Sequence, residues 1–243
     1  MIVGADGDDI SEPNRVSRIV EEWVKTGKKA TVIFHDGWKI DGAGHVVGEI
    51  GLRTISAPLG ACMAYSPKVV SDFPACSVRG CFQDHVLGRR GALIGDVLFI
   101  KDHLVRYRVG TGVSSVLQYR RGPELRAARA RVAGCRQSLM DIDYCVNKGL
   151  IGESRHDSLR SEYEGYIVRN EDFIKLIEGS FRGRLASFVR LYGRSNSIRN
   201  GILRIPYLFP RAIGDFVYGV YDTLRAMRGR HKYSCVGCVD EKQ

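Results

Sequence analysis

Residues 1–11 read MIVGADGDDIS, and this stretch decides how the rest of the chain is interpreted. Ile2 and Val3 are apolar and β-branched, so they predict the end of a short buried strand. Three carboxylates then follow within four residues, at Asp6, Asp8 and Asp9. Carboxylates at the carboxyl end of a strand commonly hold a hard divalent cation beside phosphate oxygens. The sequence therefore indicates a metal site at the start of the chain.

A second interpretation of the same residues needs no ligand. Asp and Gly are frequent in tight turns, and Asp9 or Ser11 could cap a helix that begins directly after them. Glu12 and Pro13 suit the first turn of such a helix. The first eleven residues alone leave the metal site and the capped strand-to-helix turn both open.

Hydrophobic periodicity predicts an α/β layer up to about residue 110, because strands alternate with helices. Helical spacing marks residues 14–25, 67–70 and 83–92. Short apolar runs predict strands at 30–35, 38–40, 97–100 and 104–108, and a glycine-containing loop at 58–65 enters a further strand. Residues 41–44 read DGAG, which is typical of a hairpin turn.

The second half of the chain is arginine-rich and helical. We predict a helix within residues 118–149 and another at 157–178, and we place the domain boundary between residues 117 and 118. One apolar stripe defines the first of these helices: Leu125, Ala128, Val132, Cys135, Leu139, Ile142 and Val146. The predicted organisation is thus an α/β domain, 1–117, followed by a basic helical extension, 118–243.

Composition limits the functional classes. The 243 residues carry a formal net charge of +10, which favours an anionic partner such as a nucleotide or an acidic membrane surface. No apolar run reaches eighteen residues, so no spanning helix is predicted. Seven cysteines, an odd number without a framework spacing, favour a reducing cytoplasm.

The carboxyl-terminal segment concentrates this positive charge. Residues 182–232 hold eleven Lys or Arg against two acidic residues, interleaved with aromatic and aliphatic side chains. This mixture suits peripheral contact with the cytoplasmic face of a membrane, or a solvated basic face over an ordinary core. His231, Cys235 and Cys238 supply three zinc ligands without an evident fourth, so a mobile reduced tail is the alternative. The positive charge alone would also suit nucleic-acid binding, but we expect no specific nucleic-acid partner.

Four motifs occur in an order that resembles the family 2 glycosyltransferases. They are Asp6-Gly7-Asp8, Gly60-Ala61-Cys62-Met63-Ala64, Gln83-Asp84-His85 and Leu104-Val105-Arg106-Tyr107-Arg108. The similarity covers residues 1 to about 115. It implies a GT-A fold, which is Rossmann-like, and inverting transfer of a sugar from a nucleotide-sugar to a polysaccharide or glycolipid acceptor.

The resemblance also implies roles for individual residues. Asp6 and Asp8 would bind Mg²⁺ or Mn²⁺ together with the donor diphosphate. Asp84 would be the general base that takes the proton of the acceptor hydroxyl. The residues implied in substrate binding are Gln83, His85 and Arg90.

Three departures from the family pattern accompany these expectations. Gln83 stands where the family has glutamate, and Gly110 stands near the place of a histidine that supplies a third metal ligand. The family domain begins with strands and helices that hold the nucleotide base, and these would precede Met1. We therefore expect a glycosyltransferase that lacks its amino-terminal nucleotide-binding part, or a catalytically inactive remnant that acts as a binding or scaffolding protein.

Overall fold

The chain alternates strands and helices up to residue 108 and is helical beyond it. The computed structural model describes residues 1–51, 59–110, 121–192 and 204–209. Its strands are β1 Ile2–Val3, β2 Ile10–Ser11, β3 Ala30–Ile40, β4 Val46–Ile50, β5 Met63–Tyr65 and β6 Asp96–Arg108. Its helices are α1 Arg15–Lys25, α2 Lys68–Ser71, α3 Gln83–Ile94, α4 Arg121–Asn147, α5 Glu153–Glu178 and α6 Phe181–Tyr192. The predicted α/β class is confirmed for these ranges.

All six strands belong to one mixed sheet. The order is β1-β5-β3-β6-β2, and β4 pairs with the far part of β3. The long strands β3 and β6 are parallel, so the chain crosses between them through α2 and α3. The short strand β5 is antiparallel to both β1 and β3. The predicted hairpin turn at residues 41–44 joins β3 to the antiparallel strand β4.

Two strand predictions were wrong in the same way. Residues 30–35 and 38–40 form one continuous strand, β3, and residues 97–100 and 104–108 form one continuous strand, β6. The polar residues that suggested turns lie at a register shift, where Asp36 pairs with His103. Gly37 permits this close pairing, since a Cβ there would lie 2.8 Å from Val105 Cγ1.

The turn after β1 does not lead straight into a helix. Residues Ile10–Ser11 form the edge strand β2, which pairs with β6, and α1 begins only at Arg15. Asn14 occupies the N-cap position without a side-chain cap hydrogen bond. The prediction that Asp9 or Ser11 caps this helix was therefore wrong, because pairing with β6 keeps the chain extended for two more residues.

Both long helices predicted for the second half are present as α4 and α5. The chain divides into two compact units. Among the described residues, the first contains those up to 110 together with 127–171, and the second contains 121–126 together with those from 172 onward. Most of α4 and α5 therefore belongs to the same unit as the sheet. The predicted boundary between residues 117 and 118 itself falls outside the described residues.

The core of the first unit continues from α3 into α4 and α5. One cluster contains Phe73, Leu93, Cys135, Ile142, Cys145, Ile151 and Tyr163. A separate cluster in the second unit contains Leu176, Ile177 and Tyr207 with Leu125 packed against it. Leu125 and Ile142 of the predicted apolar stripe thus pack into the cores of different units.

Much of the basic carboxyl-terminal segment lies outside the described residues, including His231, Cys235 and Cys238. Its membrane contact and its zinc ligands stay predictions. Among the described helices, none is both long enough and apolar enough to cross a membrane.

Gly91 sets how closely α3 packs on β3. A Cβ at this position would lie 1.9 Å from Cγ2 of Val32, which is fully buried. We expect Gly91→Ala to lower the free energy of unfolding by about 1–3 kcal/mol, because neither the helix nor the strand can move aside without losing other contacts. Urea denaturation followed by circular dichroism measures this change.

Gly165 in α5 provides the matched control. A Cβ there meets nothing within 4 Å. Gly165→Ala should raise the free energy of unfolding by about 0.5–1 kcal/mol, because alanine has the higher helix propensity. Equal effects of the two substitutions would contradict the close α3–β3 packing.

Candidate functional site

The turn between β1 and β2 is fixed at both ends and carries the three carboxylates. Gly4 N donates to Met63 O at 3.3 Å, and Glu12 N donates to Leu104 O at 3.1 Å. Arg108, at the end of β6, donates from Nε to Asp8 O at 3.0 Å and from its backbone N to Asp9 Oδ1 at 2.8 Å. The predicted strand end at residues 104–108 therefore holds the carboxylate turn in place.

Arg15 holds this turn in place through hydrogen bonds from its buried side chain. Its guanidinium is 2% exposed and donates to Gly4 O at 2.7 Å and to Ala61 O at 2.6 Å. It also donates to Ser11 Oγ at 2.9 Å and to His35 Nε2 at 3.1 Å. One side chain thus joins the carboxylate turn to β3 and to the 3₁₀ turn Gly60–Cys62.

Asp9 differs from its two neighbours. Asp6 and Asp8 are exposed, whereas Asp9 is half-buried and its Oδ2 has no hydrogen-bond partner among the described residues. Burial raises the pKa of Asp9, the hydrogen bond from Arg108 lowers it, and repulsion from Asp8 and Asp6 raises it further. Asp6 and Asp8 therefore lie close enough to Asp9 to repel its carboxylate, and a cation would relieve this repulsion.

Asp84 lies at the first turn of α3 and lines an open pocket of about 460 Å³ together with Asp6 of the carboxylate turn. Its Oδ2 accepts from Gly60 N at 3.2 Å and its Oδ1 from His85 N at 2.9 Å. Burial raises the pKa of Asp84, against the lowering effect of these backbone hydrogen bonds. A carboxylate held in this way has both a fixed orientation and an increased basicity.

The pocket brings together most of the predicted site residues. Asp6, Gln83, Asp84 and His85 line it, whereas Asp8 is not among its lining residues. Aromatic rings complete the lining at Tyr65, Phe82 and Tyr107. Burial, followed by the charges of Arg89 and Arg131, lowers the pKa of His85 to about 4, so its imidazole is neutral at pH 7. A neutral imidazole can both donate and accept a hydrogen bond.

Arg90 does not join this pocket lining. It is 4% exposed and donates from Nε to Asp141 Oδ2 at 2.8 Å and from Nη2 to Asp141 Oδ1 at 2.9 Å. A further hydrogen bond reaches Pro74 O at 2.9 Å. Since these partners occupy the guanidinium, the structure gives Arg90 a packing role between α3 and α4, in place of the predicted substrate contact.

A second group of potential metal ligands lies on the sheet. Asp36 from β3, Glu49 from β4 and His103 from β6 place one ligand atom each within 4.8 Å of one another. His103 Nε2 and Glu49 Oε1 are 2.7 Å apart, and the imidazole stacks on Trp38 at a centroid distance of 3.9 Å. These three side chains could hold a metal ion, which would compete with the His103–Glu49 hydrogen bond.

No protein-family model, curated protein or solved structure matches this chain. The site is therefore interpreted from its own residues. Reasoning from the sequence missed Arg15 and the Asp36–Glu49–His103 group. A signal for Arg15 existed, because Arg15, Ile19 and Trp23 are spaced four residues apart and share one face of α1.

The buried His35 predicts a pH dependence of stability. Burial lowers the pKa of His35 to about 4, and its Nε2 accepts a hydrogen bond from Arg15. The unfolded chain therefore binds a proton near pH 6.5 that the folded chain does not bind until about pH 4. We expect the stabilisation to be complete above pH 6.5 and to fall by about 3 kcal/mol as the pH drops to 4.

The measurement compares the wild-type protein with His35→Gln by urea denaturation at several pH values from 7 to 4. His85 and the raised carboxyl pKa values affect both proteins alike, so the difference isolates His35. The variant should lose less stability than the wild-type protein over this range. Identical pH profiles would show that His35 is not held neutral.

Proposed function

We propose that this chain is a metal-assisted inverting glycosyltransferase of the family 2 type. It would transfer a sugar from a nucleotide-sugar to a saccharide or lipid-linked acceptor. The observation that supports this proposal is the pocket, whose lining includes one carboxylate from the turn after β1, Asp6, and one from the start of α3, Asp84. Inverting transfer requires these two groups on opposite sides of the reacting carbon, one for the diphosphate and one for the acceptor.

Asp6 and Asp8 would hold Mg²⁺ or Mn²⁺. Mg²⁺ is usually bound through one or two protein carboxylates together with substrate phosphates, so two exposed carboxylates on one turn fit this ion. The repulsion of the Asp9 carboxylate by Asp8 and Asp6 also favours a cation here. A bound ion would stabilise the negative charge of the departing nucleoside diphosphate as a Lewis acid.

Asp84 would accept the proton of the attacking hydroxyl. Its two backbone hydrogen bonds aim the carboxylate, and its raised pKa makes it a stronger base than an exposed aspartate. Gln83 and His85 flank it with hydrogen-bonding groups that can orient the acceptor. The rings of Phe82 and Tyr107 offer apolar walls of the kind that ligand pockets use.

Calorimetric titration of UDP and GDP in the presence and absence of Mn²⁺ tests the donor side. We expect binding that requires Mn²⁺ and that weakens about tenfold or more, 1.4 kcal/mol per factor of ten, in Asp6→Asn and Asp8→Asn. The matched control is His103→Gln, which alters the other potential metal group and should leave the nucleotide affinity unchanged.

Each other outcome has a definite meaning. If His103→Gln loses Mn²⁺-dependent nucleotide binding and Asp6→Asn keeps it, the metal site is the Asp36–Glu49–His103 group. Absence of nucleotide binding in the wild-type protein, with or without Mn²⁺, would reject a catalytic transferase and favour an inactive remnant that binds or scaffolds other molecules.

A further inference from the structure

Two thiols face each other in the segment that connects α2 to α3. Cys76 Sγ and Cys81 Sγ lie 3.4 Å apart. A tight turn at residues 78–80 brings them together, and Gly80 provides the left-handed backbone conformation with φ of 80°. Cys76 is exposed and Cys81 is half-buried, so a small thiol reagent can reach the pair.

We propose that Cys76 and Cys81 form a reversible disulfide site, oxidised by a low-molecular-weight disulfide such as glutathione disulfide. A disulfide has an S–S length of about 2.05 Å, so the two sulfur atoms must approach by about 1.4 Å. Gly80 lies at an open position of this turn, since a Cβ there would meet nothing within 4 Å.

Oxidation removes the thiol hydrogen bonds to Val78 O, at 3.2 Å from Cys81 and 3.7 Å from Cys76, but leaves Gln137 Oε1 satisfied. Gln137 Oε1 accepts from the Cys76 thiol at 3.3 Å and from the backbone N of Ser77 and of Val78 at 3.1 Å each. When the thiol proton is lost, this oxygen retains both backbone donors. Oxidation therefore leaves no unpaired buried acceptor at Gln137.

The reaction is a thiol–disulfide exchange in two steps. The exposed Cys76 thiolate attacks one sulfur of glutathione disulfide, whose S–S bond breaks, and a glutathione thiolate leaves as the mixed disulfide forms. The Cys81 thiolate then attacks Cys76 Sγ and displaces the second glutathione. The protein gives up two electrons and two protons, and one glutathione disulfide becomes two glutathione molecules.

The other cysteines among the described residues provide a contrast. Cys62, Cys135 and Cys145 are each at most 1% exposed. Burial raises the pKa of Cys62 to about 12 and that of Cys145 to about 11, so these thiols are poor nucleophiles. Burial and the neighbouring Cys76 also raise the pKa of Cys81. Selectivity for the 76–81 pair thus follows from the exposure of Cys76 and from the short distance between the two sulfur atoms.

The position of the pair connects it to the pocket. Cys81 directly precedes Phe82, which occupies the N-cap position of α3 and lines the pocket beside Asp84. A shift of Cys81 toward Cys76 acts on the start of this helix. The site is nevertheless defined by its own chemistry and does not depend on the proposed transferase activity.

The experiment equilibrates the folded protein in buffers of varied glutathione to glutathione disulfide ratio, quenches with acid and alkylates the remaining thiols. The full chain carries Cys235→Ser and Cys238→Ser, because these two cysteines are only three positions apart in the sequence and could pair with each other. Because Arg79 lies between Cys76 and Cys81, trypsin gives two peptides that stay joined only by their disulfide. We expect both thiols to be lost together, with one midpoint, and this joined species to appear.

Two variants separate the proposal from general thiol reactivity. In Cys81→Ser the joined species should be lost completely, and Cys76 should carry one glutathione. In Cys145→Ser the midpoint should stay within about twofold of the parent, since a buried thiol takes no part. The proposal is overturned if Cys76 and Cys81 stay as unreactive as Cys135, or if each carries its own glutathione in the parent protein.

Discussion

Asp84→Asn is expected to slow release of the nucleoside diphosphate from a nucleotide-sugar by about 10²–10⁴-fold, because asparagine cannot take the proton of the attacking hydroxyl. The substitution keeps the size of the side chain and its place at the first turn of α3. One of the two carboxylate oxygens that accept from Gly60 N and His85 N becomes an amide donor, so a modest loss of stability is also expected.

The measurement uses UDP-glucose, GDP-mannose and dTDP-glucose as probes, with Mn²⁺, and records nucleoside diphosphate release together with nucleotide affinity. The affinity should stay within about twofold, since base catalysis acts in the chemical step. Asp157→Asn, at an exposed position on α5, is the matched control and should keep the wild-type rate. A wild-type rate in Asp84→Asn would exclude Asp84 as the base.

Arg15→Met is expected to lower the free energy of unfolding by about 3–5 kcal/mol. The substitution removes the donor from four acceptors, Gly4 O, Ala61 O, Ser11 Oγ and His35 Nε2, of which Ala61 and His35 are almost fully buried. A loss of this size is a large part of the 5–15 kcal/mol that holds a domain together, at roughly 1–3 kcal/mol for each unpaired buried group. Arg15→Lys should be more stable than Arg15→Met but less stable than the wild-type protein, because an ammonium cannot reach all four acceptors at once.

Arg18→Met tests the same substitution one turn later on the same helix. Arg18 pairs with Asp102, Glu21 and Glu22 at the surface, and its side chain is 28% exposed. Surface ion pairs contribute about 0–1 kcal/mol, so this variant should lose less than about 1 kcal/mol. Urea denaturation with a shared slope compares the two. Equal losses would show that the buried network around Arg15 is not what stabilises the turn.

The sequence was sufficient to predict the elements with clear hydrophobic periodicity. It was insufficient for those whose conformation is decided by strand pairing. The helix at α1 could be predicted because its apolar residues recur at helical spacing. The continuity of β3 and β6 could not, because Asp36 and Gly37 have the composition of a turn. Pairing of Asp36 with β6 and of Gly37 with β4 keeps the backbone extended through them.

The same distinction applies to the candidate site. Asp6 could be singled out because carboxylates after a strand are a local signal, and Asp84 because the family resemblance implied a base there; the pocket has both in its lining. The role of Arg90 could not be predicted, since its partner Asp141 is 51 residues away in the chain. Sequence spacing likewise gives no indication that His103 lies beside Glu49, 54 residues earlier.

The buried Arg90–Asp141 pair has a consequence for synthesis on the ribosome. Arg90 leaves the ribosome 51 residues before the carboxylate that neutralises it. At about 5–20 residues per second, that interval lasts roughly 3–10 s. During it, the side of α3 that carries Arg90 lacks α4 to cover it, so the guanidinium stays in water. The helix that begins beside Asp84 therefore gains its buried ion pair with α4 only after residue 141 has emerged, although every residue that lines the pocket was made earlier.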